Sequence, residues 1–291
     1  MSRGATRRTF TIALPGGGTL ALGQRCLVMG ILNITPDSFA GRGPLEPAAA
    51  LDVALHMEAS GADVIDLGGE STRPGADPVP ADVELGRVLP VLRTLQGRLR
   101  IPLSIDTYKA SVARAALDAG AVMVNDVSGL RFDPPLADVA AASGAALILM
   151  HTRGRPQTMA AEAVYQDLTA EVVAELRASI AAASAAGVAI EQIIADPGIG
   201  FAKRPSHSYG VLAHVADIAA ALDRPLLVGA SRKSFLRDAV GGRPAPERDW
   251  GTAAAVTAAV LGGAHIVRVH AVAEMVQVVR VAEEIRRIAD C

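Results

Sequence analysis

Aromatic residues are scarce: one Trp, three Tyr and five Phe in 291 residues, although 51% of the chain is hydrophobic. The interior is therefore expected to be aliphatic, built from Ala, Val, Leu and Ile. An excess of one charge is also lacking, with 28 Lys and Arg against 30 Asp and Glu. That balance excludes an extended nucleic-acid surface, which needs a basic excess, but it allows a small anion held by a few cations in one cleft. There are only two cysteines, Cys26 and Cys291. They cannot make a disulfide framework, and no Cys/His group has zinc spacing, so a reduced, cytoplasmic setting is expected. No run of ~18 apolar residues is free of charges and breakers, so no membrane span is expected. The opening Met1–Arg8 segment has no long apolar stretch behind it and makes a poor secretory signal.

What the chain does have is an alternation. Residues 1–25 read as a tail and a hairpin, with Thr9–Leu14 and Thr19–Leu22 joined by Pro15-Gly-Gly-Gly18, expected to cap the bottom of the domain. Residues 26–288 then repeat an apolar run eight times: 27–32, 62–67, 101–105, 121–124, 145–150, 192–195, 225–228 and 265–269. Runs of this length suit strands buried on both faces. Ala-rich segments with helical spacing lie between them, for example 47–60, 81–95, 109–119, 167–186 and 272–288, and several end at a glycine (Gly61, Gly120, Gly187) placed for a C-cap.

Eight such units make either a doubly wound open sheet or a closed barrel. Every apolar run ends in reactive side chains: Asn33 with Asp37, Asp66 with Glu70, Asp106, Asn125 with Asp126, His151 with Arg153, Asp196, Ser231 to Lys233, and Arg268 with His270. An open sheet has one crevice at a switch point, which leaves its outer strands without use for such groups. A barrel gathers all eight strand ends at one mouth. A single (β/α)8 TIM barrel of class α/β, with a short N-terminal hairpin cap, is therefore expected.

The mouth would hold carboxylates and carboxamides (Asp106, Asn125, Asp196) and cations (Arg73, Lys233, Arg268, with His270 a further candidate). A carboxylate accepts paired hydrogen bonds from a flat N–H/NH2 edge, a carboxamide reads a mixed edge, and the cations suit phosphate or carboxylate oxygens. The set describes a flat amino-heterocycle joined to an anion and leaves pterin and purine both open. Plainer roles compete. Asp106 could cap the helix that follows, one of Asn125 and Asp126 should serve the backbone, Asp196 before Pro197 could be a turn residue, and His151 could be structural. His56, His207 and His214 read as surface or packing residues, and His265 opens its strand at the end away from catalysis. Ser231 reads as the start of a helix, where backbone N–H groups favour an anion. The segments 229–234 and 198–203 lack the glycines of a P-loop, a nucleophile elbow or a dinucleotide fingerprint.

Seven segments in order resemble the dihydropteroate synthases: Met29–Phe39, Asp66–Gly75, Ser104–Lys109, Asn125–Arg131, Asp196–Phe201, Gly229–Ser234 and Arg268–His270. The resemblance implies a (β/α)8 barrel, a homodimer and Mg2+. It also implies that Asp106, Asn125, Asp196 and Lys233 hold a pterin ring, that Arg268 and His270 bind its diphosphate, and that Asn33 supports the metal. Thr72, Arg73, Pro74, Phe39 and Ser231 would shape the p-aminobenzoate site. Asp106, Lys233, Arg268 and His270 are the expected catalytic residues. A methyltetrahydrofolate-binding methyltransferase would share the pterin pocket but not the 35–39 and 71–74 loops, and a non-catalytic pterin-binding paralogue would share both. The chain departs from the family pattern at Ala40–Pro44 and at Ala271.

Overall fold

A computed structural model describes residues 7–35 and 45–289. Two strands, β1 (Phe10–Ala13) and β2 (Thr19–Leu22), pair antiparallel as the expected hairpin. Eight parallel strands follow: β3 (Leu27–Asn33), β4 (Val64–Gly68), β5 (Leu103–Asp106), β6 (Met123–Asp126), β7 (Ala146–Met150), β8 (Ile193–Asp196), β9 (Leu227–Val228) and β10 (Ile266–Val269). They hydrogen-bond in the order β8-β7-β6-β5-β4-β3-β10-β9. The ring closes where Ala195 bridges Leu226 and the Ala195 N–H donates to the Pro225 carbonyl at 2.9 Å. This closure is what distinguishes the barrel from an open sheet. No strand in it is left as a free edge.

Helices α1 (Pro47–Ala59), α2 (Ala81–Leu95), α3 (Ala110–Asp118), α4 (Leu136–Ser143), α5 (Leu168–Ala185), α6 (Pro205–Ala213), α7 (Val215–Leu222), α8 (Asp249–Leu261) and α9 (Val272–Ala289) surround the strands. In α1 the buried Ala50, Ala54 and Met57 recur at helical spacing and form the face turned to the sheet. That face packs closely enough that a Cβ at Gly30 would lie 3.0 Å from both Met57 Sδ and Val272 Cγ2. Gly61, Gly120 and Gly187 follow their helices at φ of +98°, +101° and +97°, the left-handed geometry that a glycine C-cap supplies without steric cost.

Successive strand residues face opposite sides, and the two sides have different cores. Outward residues such as Val28, Ile65, Ile105, Val124, Leu147, Ile193 and Val267 pack against the helices. Inward residues Leu27, Met29, Val64, Met123, Ala146, Ile148, Ile194, Leu227 and Ile266 fill the barrel floor together with Ile12, Leu20 and Leu22 of the hairpin. The hairpin is thus a plug at the N-terminal ends of the strands. His265 fastens it there, with Nδ1 accepting from the Leu226 N–H at 3.1 Å, Nε2 3.0 Å from the Arg8 carbonyl, and the ring edge-on to Phe10. Among the described residues, no helix is long and apolar enough to cross a membrane.

Candidate active site

The inward side chains of the floor continue upward, two residues along each strand, as polar groups. Val64 is followed by Asp66, Met123 by Asn125, Ile194 by Asp196 and Ile266 by Arg268, and Ser104 is followed on its own strand by Asp106. The period of two that buries the floor therefore aims the reactive groups into one mouth. Asn125 faces in. Asp126, one residue on, faces out and accepts from the Ser128 N–H at 2.8 Å and from the Leu130 N–H, so it is the member of the pair that serves the backbone. Asp106 does not cap α3. The Ala110 N–H donates instead to Asp133 at 2.7 Å, which leaves Asp106 to the mouth.

Arg268 is the centre of a connected group. Its Nε donates to Asp66 Oδ2 at 2.6 Å and its Nη2 to Asp106 Oδ2 at 2.7 Å, while Asn125 Nδ2 donates to the same Asp66 oxygen at 2.9 Å. Burial works against the guanidinium charge, but the two carboxylates more than offset it and raise its affinity for a proton. Burial pushes Asp106 above the usual carboxylate range, opposed first by Arg268. Asn33 and Asp106 flank Gly68, where a Cβ would come within 3.4 Å of Asn33 Oδ1 and 3.5 Å of Asp106 Oδ2. The missing side chain keeps an open position between two oxygen donors.

Across the mouth, Asp196 Oδ1 accepts from the Gly198 N–H at 2.7 Å. Burial raises Asp196, and Lys233 is the strongest influence pulling it back. Lys233 is lowered to about 8 by burial, with Asp196 opposing. Its ammonium donates to the Ile199 carbonyl and lies 4.6 Å from the Phe201 ring centre. A Cβ at Gly229 would meet both Lys233 Nζ (3.8 Å) and Arg268 Cβ (3.9 Å), so the Asp196–Lys233 pair adjoins the Arg268 group. Ser231 Oγ is 2.9 Å from His270 Nδ1 and accepts from the His270 N–H at 3.1 Å.

Thr72 is half-buried, and Arg73 and Pro74 are exposed on the loop after β4. That loop rests on the one after β7, with the Gly75 N–H donating to the Pro156 carbonyl at 2.8 Å. Arg73 lies close enough to His270 to disfavour its protonation. Asp37 and Phe39 lie outside the described residues, as does the first loop from 36 to 44.

The structure corrects two expectations. Ser231 does not begin a helix. Two 3-10 turns, Ser234–Leu236 and Ala245–Glu247, follow it before α8 starts at Asp249, so Ser231 does not sit at the end of an α-helix and its hydroxyl serves His270 instead. His270 is not a cation. Burial, then Arg232, Arg268 and Arg73, lower it to about 3, so it carries a neutral imidazole at physiological pH.

Sequence reasoning also missed members of the site. Asp66 was visible as a strand-end acid, but its place beneath Arg268 depends on a pairing across the barrel. Met150 is the inward residue at the top of β7 and joins Tyr108, Val127, Phe132 and Phe201 in an apolar cluster at the mouth. Those apolar residues gave no signal distinct from core. His151 sits behind the mouth. It is buried, lowered to about 4 first by burial, and its Nδ1 is 2.8 Å from Lys203 Nζ.

Residues 29–270 match the family profile described as "Pterin binding enzyme". The chain is 47% identical over 283 residues to the dihydropteroate synthase of Synechocystis sp., covering 96% of each chain. A crystal structure of the Yersinia pestis dihydropteroate synthase with a sulfonamide drug complex superimposes with a TM-score of 0.89 at 39% identity, covering 97% of this chain and 100% of that one. The Burkholderia cenocepacia dihydropteroate synthase complexed with 7,8-dihydropteroate gives a TM-score of 0.85 at 45% identity, covering 97% and 99%. With this likeness running through the barrel and through the strand ends that carry the polar mouth, the chain belongs to the pterin-binding enzymes and, among them, to the dihydropteroate synthases.

Proposed function

We propose that this chain condenses 6-hydroxymethyl-7,8-dihydropterin diphosphate with p-aminobenzoate, forming 7,8-dihydropteroate and diphosphate. The observation that carries the reading is the convergence of Asp106, Asn125, Asp196, Lys233 and Arg268 on one mouth, where carboxylates and a carboxamide stand beside cations. Asn125 and Asp196 take the amino-pyrimidine edge of the pterin, helped by Asp106 and by Lys233 as a donor. Met150 and Phe201 offer apolar faces to the ring.

The chemistry follows from where charge develops. Breaking the CH2–O bond puts negative charge on the departing diphosphate. Arg268 spends two of its N–H groups on Asp66 and Asp106 and keeps the others for those oxygens. His270, neutral and bonded through Nδ1 to Ser231, adds a hydrogen bond rather than a charge. The methylene left behind is cation-like, and Asp106 stabilises it through space. The arylamine of p-aminobenzoate, neutral at pH 7, attacks that carbon and then loses its proton. Thr72, Arg73, Pro74 and Ser231 bound its pocket.

Mg2+ is the cofactor. Its preference for hard oxygen ligands, most of them from phosphate and water, suits the Asn33 carboxamide oxygen beside the open position at Gly68. Asn33 would hold the ion, which supplies charge to the leaving diphosphate. The chain works in the cytoplasm as a homodimer. The dimer reading is supported by exposed apolar residues on two neighbouring helices: Trp250, 88% exposed, and Leu261 on α8, and Val281, Ile285 and Ile288 along one stripe of α9. Light scattering that gives the mass of one chain would remove it.

The deciding experiment is diphosphate release by the purified protein with both substrates and Mg2+. Release at the no-enzyme baseline overturns the proposed reaction.

A further inference from the structure

Arg232 stands between Ser231 and Lys233, and its backbone is left-handed, at φ +57°. A non-glycine residue keeps that conformation only where its surroundings hold it, and here four contacts do so. The guanidinium makes a two-pronged pair with Asp249, Nε to Oδ1 at 2.7 Å and Nη2 to Oδ2 at 2.6 Å. The Arg232 N–H donates to Thr252 Oγ1 at 3.0 Å, and Arg248 Nη1 donates to the Arg232 carbonyl at 3.1 Å. All three partners lie at the start of α8, outside the mouth.

The consequence lies with the two neighbours. Ser231 turns to His270, 2.9 Å away, and Lys233 reaches the Ile199 carbonyl beside Asp196. Relaxation of residue 232 to a right-handed or extended conformation would redirect one of them. We infer that Arg232 is a positioning residue, and that its clamp by Asp249 and Thr252 fixes the left-handed turn which delivers Ser231 and Lys233 to opposite parts of the mouth. Its Nε and Nη2 are both engaged by Asp249, although its charge still reaches His270 and disfavours protonation there. This inference rests on the reading of Ser231 and Lys233 as site residues.

The test compares Arg232→Ala with Arg232→Gly in the full chain. Both remove the guanidinium, but only glycine adopts positive φ freely. If the conformation is what matters, Arg232→Ala loses about tenfold more kcat/KM than Arg232→Gly. Asp249→Asn should likewise impair the wild-type chain but have little further effect in Arg232→Gly, and KM for both substrates should move more than the melting temperature does. Equal losses in the Ala and Gly variants, with Asp249→Asn silent, would mean that the guanidinium itself meets substrate and would overturn the inference. Wild-type protein that releases no diphosphate would instead count against the proposed reaction. In that case, calorimetric titration of the same variants with pterin diphosphate tests the clamp separately, and identical affinities in the Ala and Gly variants overturn it.

Discussion

Asp66→Asn removes the charge on which Arg268 and Asn125 both converge, while keeping the size of the side chain. In the native structure Asp66 Oδ2 accepts from Arg268 Nε at 2.6 Å and from Asn125 Nδ2 at 2.9 Å, and the residue is fully buried. A hydrogen bond to a charged group contributes about 1.5–3 kcal/mol and a neutral one about 0.5–1.5. The Asn125 bond becomes neutral on both sides and the Arg268 bond passes from an ion pair to a cation on a neutral amide, so roughly 2–3 kcal/mol is lost between them. If Arg268 needs that anchor to face the leaving diphosphate, kcat/KM falls by roughly 30- to 150-fold. Burying the Asp66 carboxylate is itself unfavourable, so the melting temperature should move less than turnover. The assay is diphosphate release coupled to a pyrophosphatase, run on Asp66→Asn, Arg268→Ala and the double variant. Because Asp66 acts through Arg268, the substitution should cost much less in the Arg268→Ala background, and what remains belongs to Asn125. Single-variant turnover within about threefold of wild type, or full additivity in the double variant, would refute the anchor.

The pH dependence of pterin use should follow Lys233. Its ammonium is lost near pH 8, so kcat/KM for pterin diphosphate should fall as pH rises through about 8, and Lys233→Arg should move that limb out of range. The stability contribution runs the other way. The unfolded chain keeps this proton up to the ordinary lysine value of 10.5, so the penalty of a buried ammonium is full below about 8 and disappears as pH rises toward 10.5. A pH profile without a limb near 8 would argue against Lys233 as the cation that binds the pterin. In Gly198→Ala the new Cβ would lie 1.9 Å from the His151 carbonyl oxygen at a residue with φ +69°. A loss of about 2–5 kcal/mol is expected, lowering the melting temperature by roughly 5–15 °C, and an unchanged melting curve would contradict the packing of the Asp196 loop. Asn33→Ala should raise the Mg2+ concentration needed for half-maximal turnover by about tenfold. The same Mg2+ dependence as wild type would place the ion elsewhere.

The sequence carried a large part of this structure because most of the determining signals are local. Buried strands of two to seven residues alternate with helices, several of which end at glycines, and each side chain in a strand faces away from its neighbours in sequence. That is why the apolar runs and the polar groups at their ends were readable, and why Asp106, Asn125, Asp196, Lys233 and Arg268 could be named before their positions were known. Tertiary structure decided what depends on distant partners. Barrel closure rests on β8 meeting Leu226, the residue before β9, a contact between segments that no local pattern records. Which of Asn125 and Asp126 faces inward, that Asp66 lies under Arg268, and that Met150 ends in the mouth all follow from the register of strands far apart in sequence. The neutral state of His270 follows from burial among three arginines that only the fold brings together. Chain order fixes periodicity and chemistry, whereas partners, burial and charge state belong to the closed barrel, because each of them is a property of the space between segments.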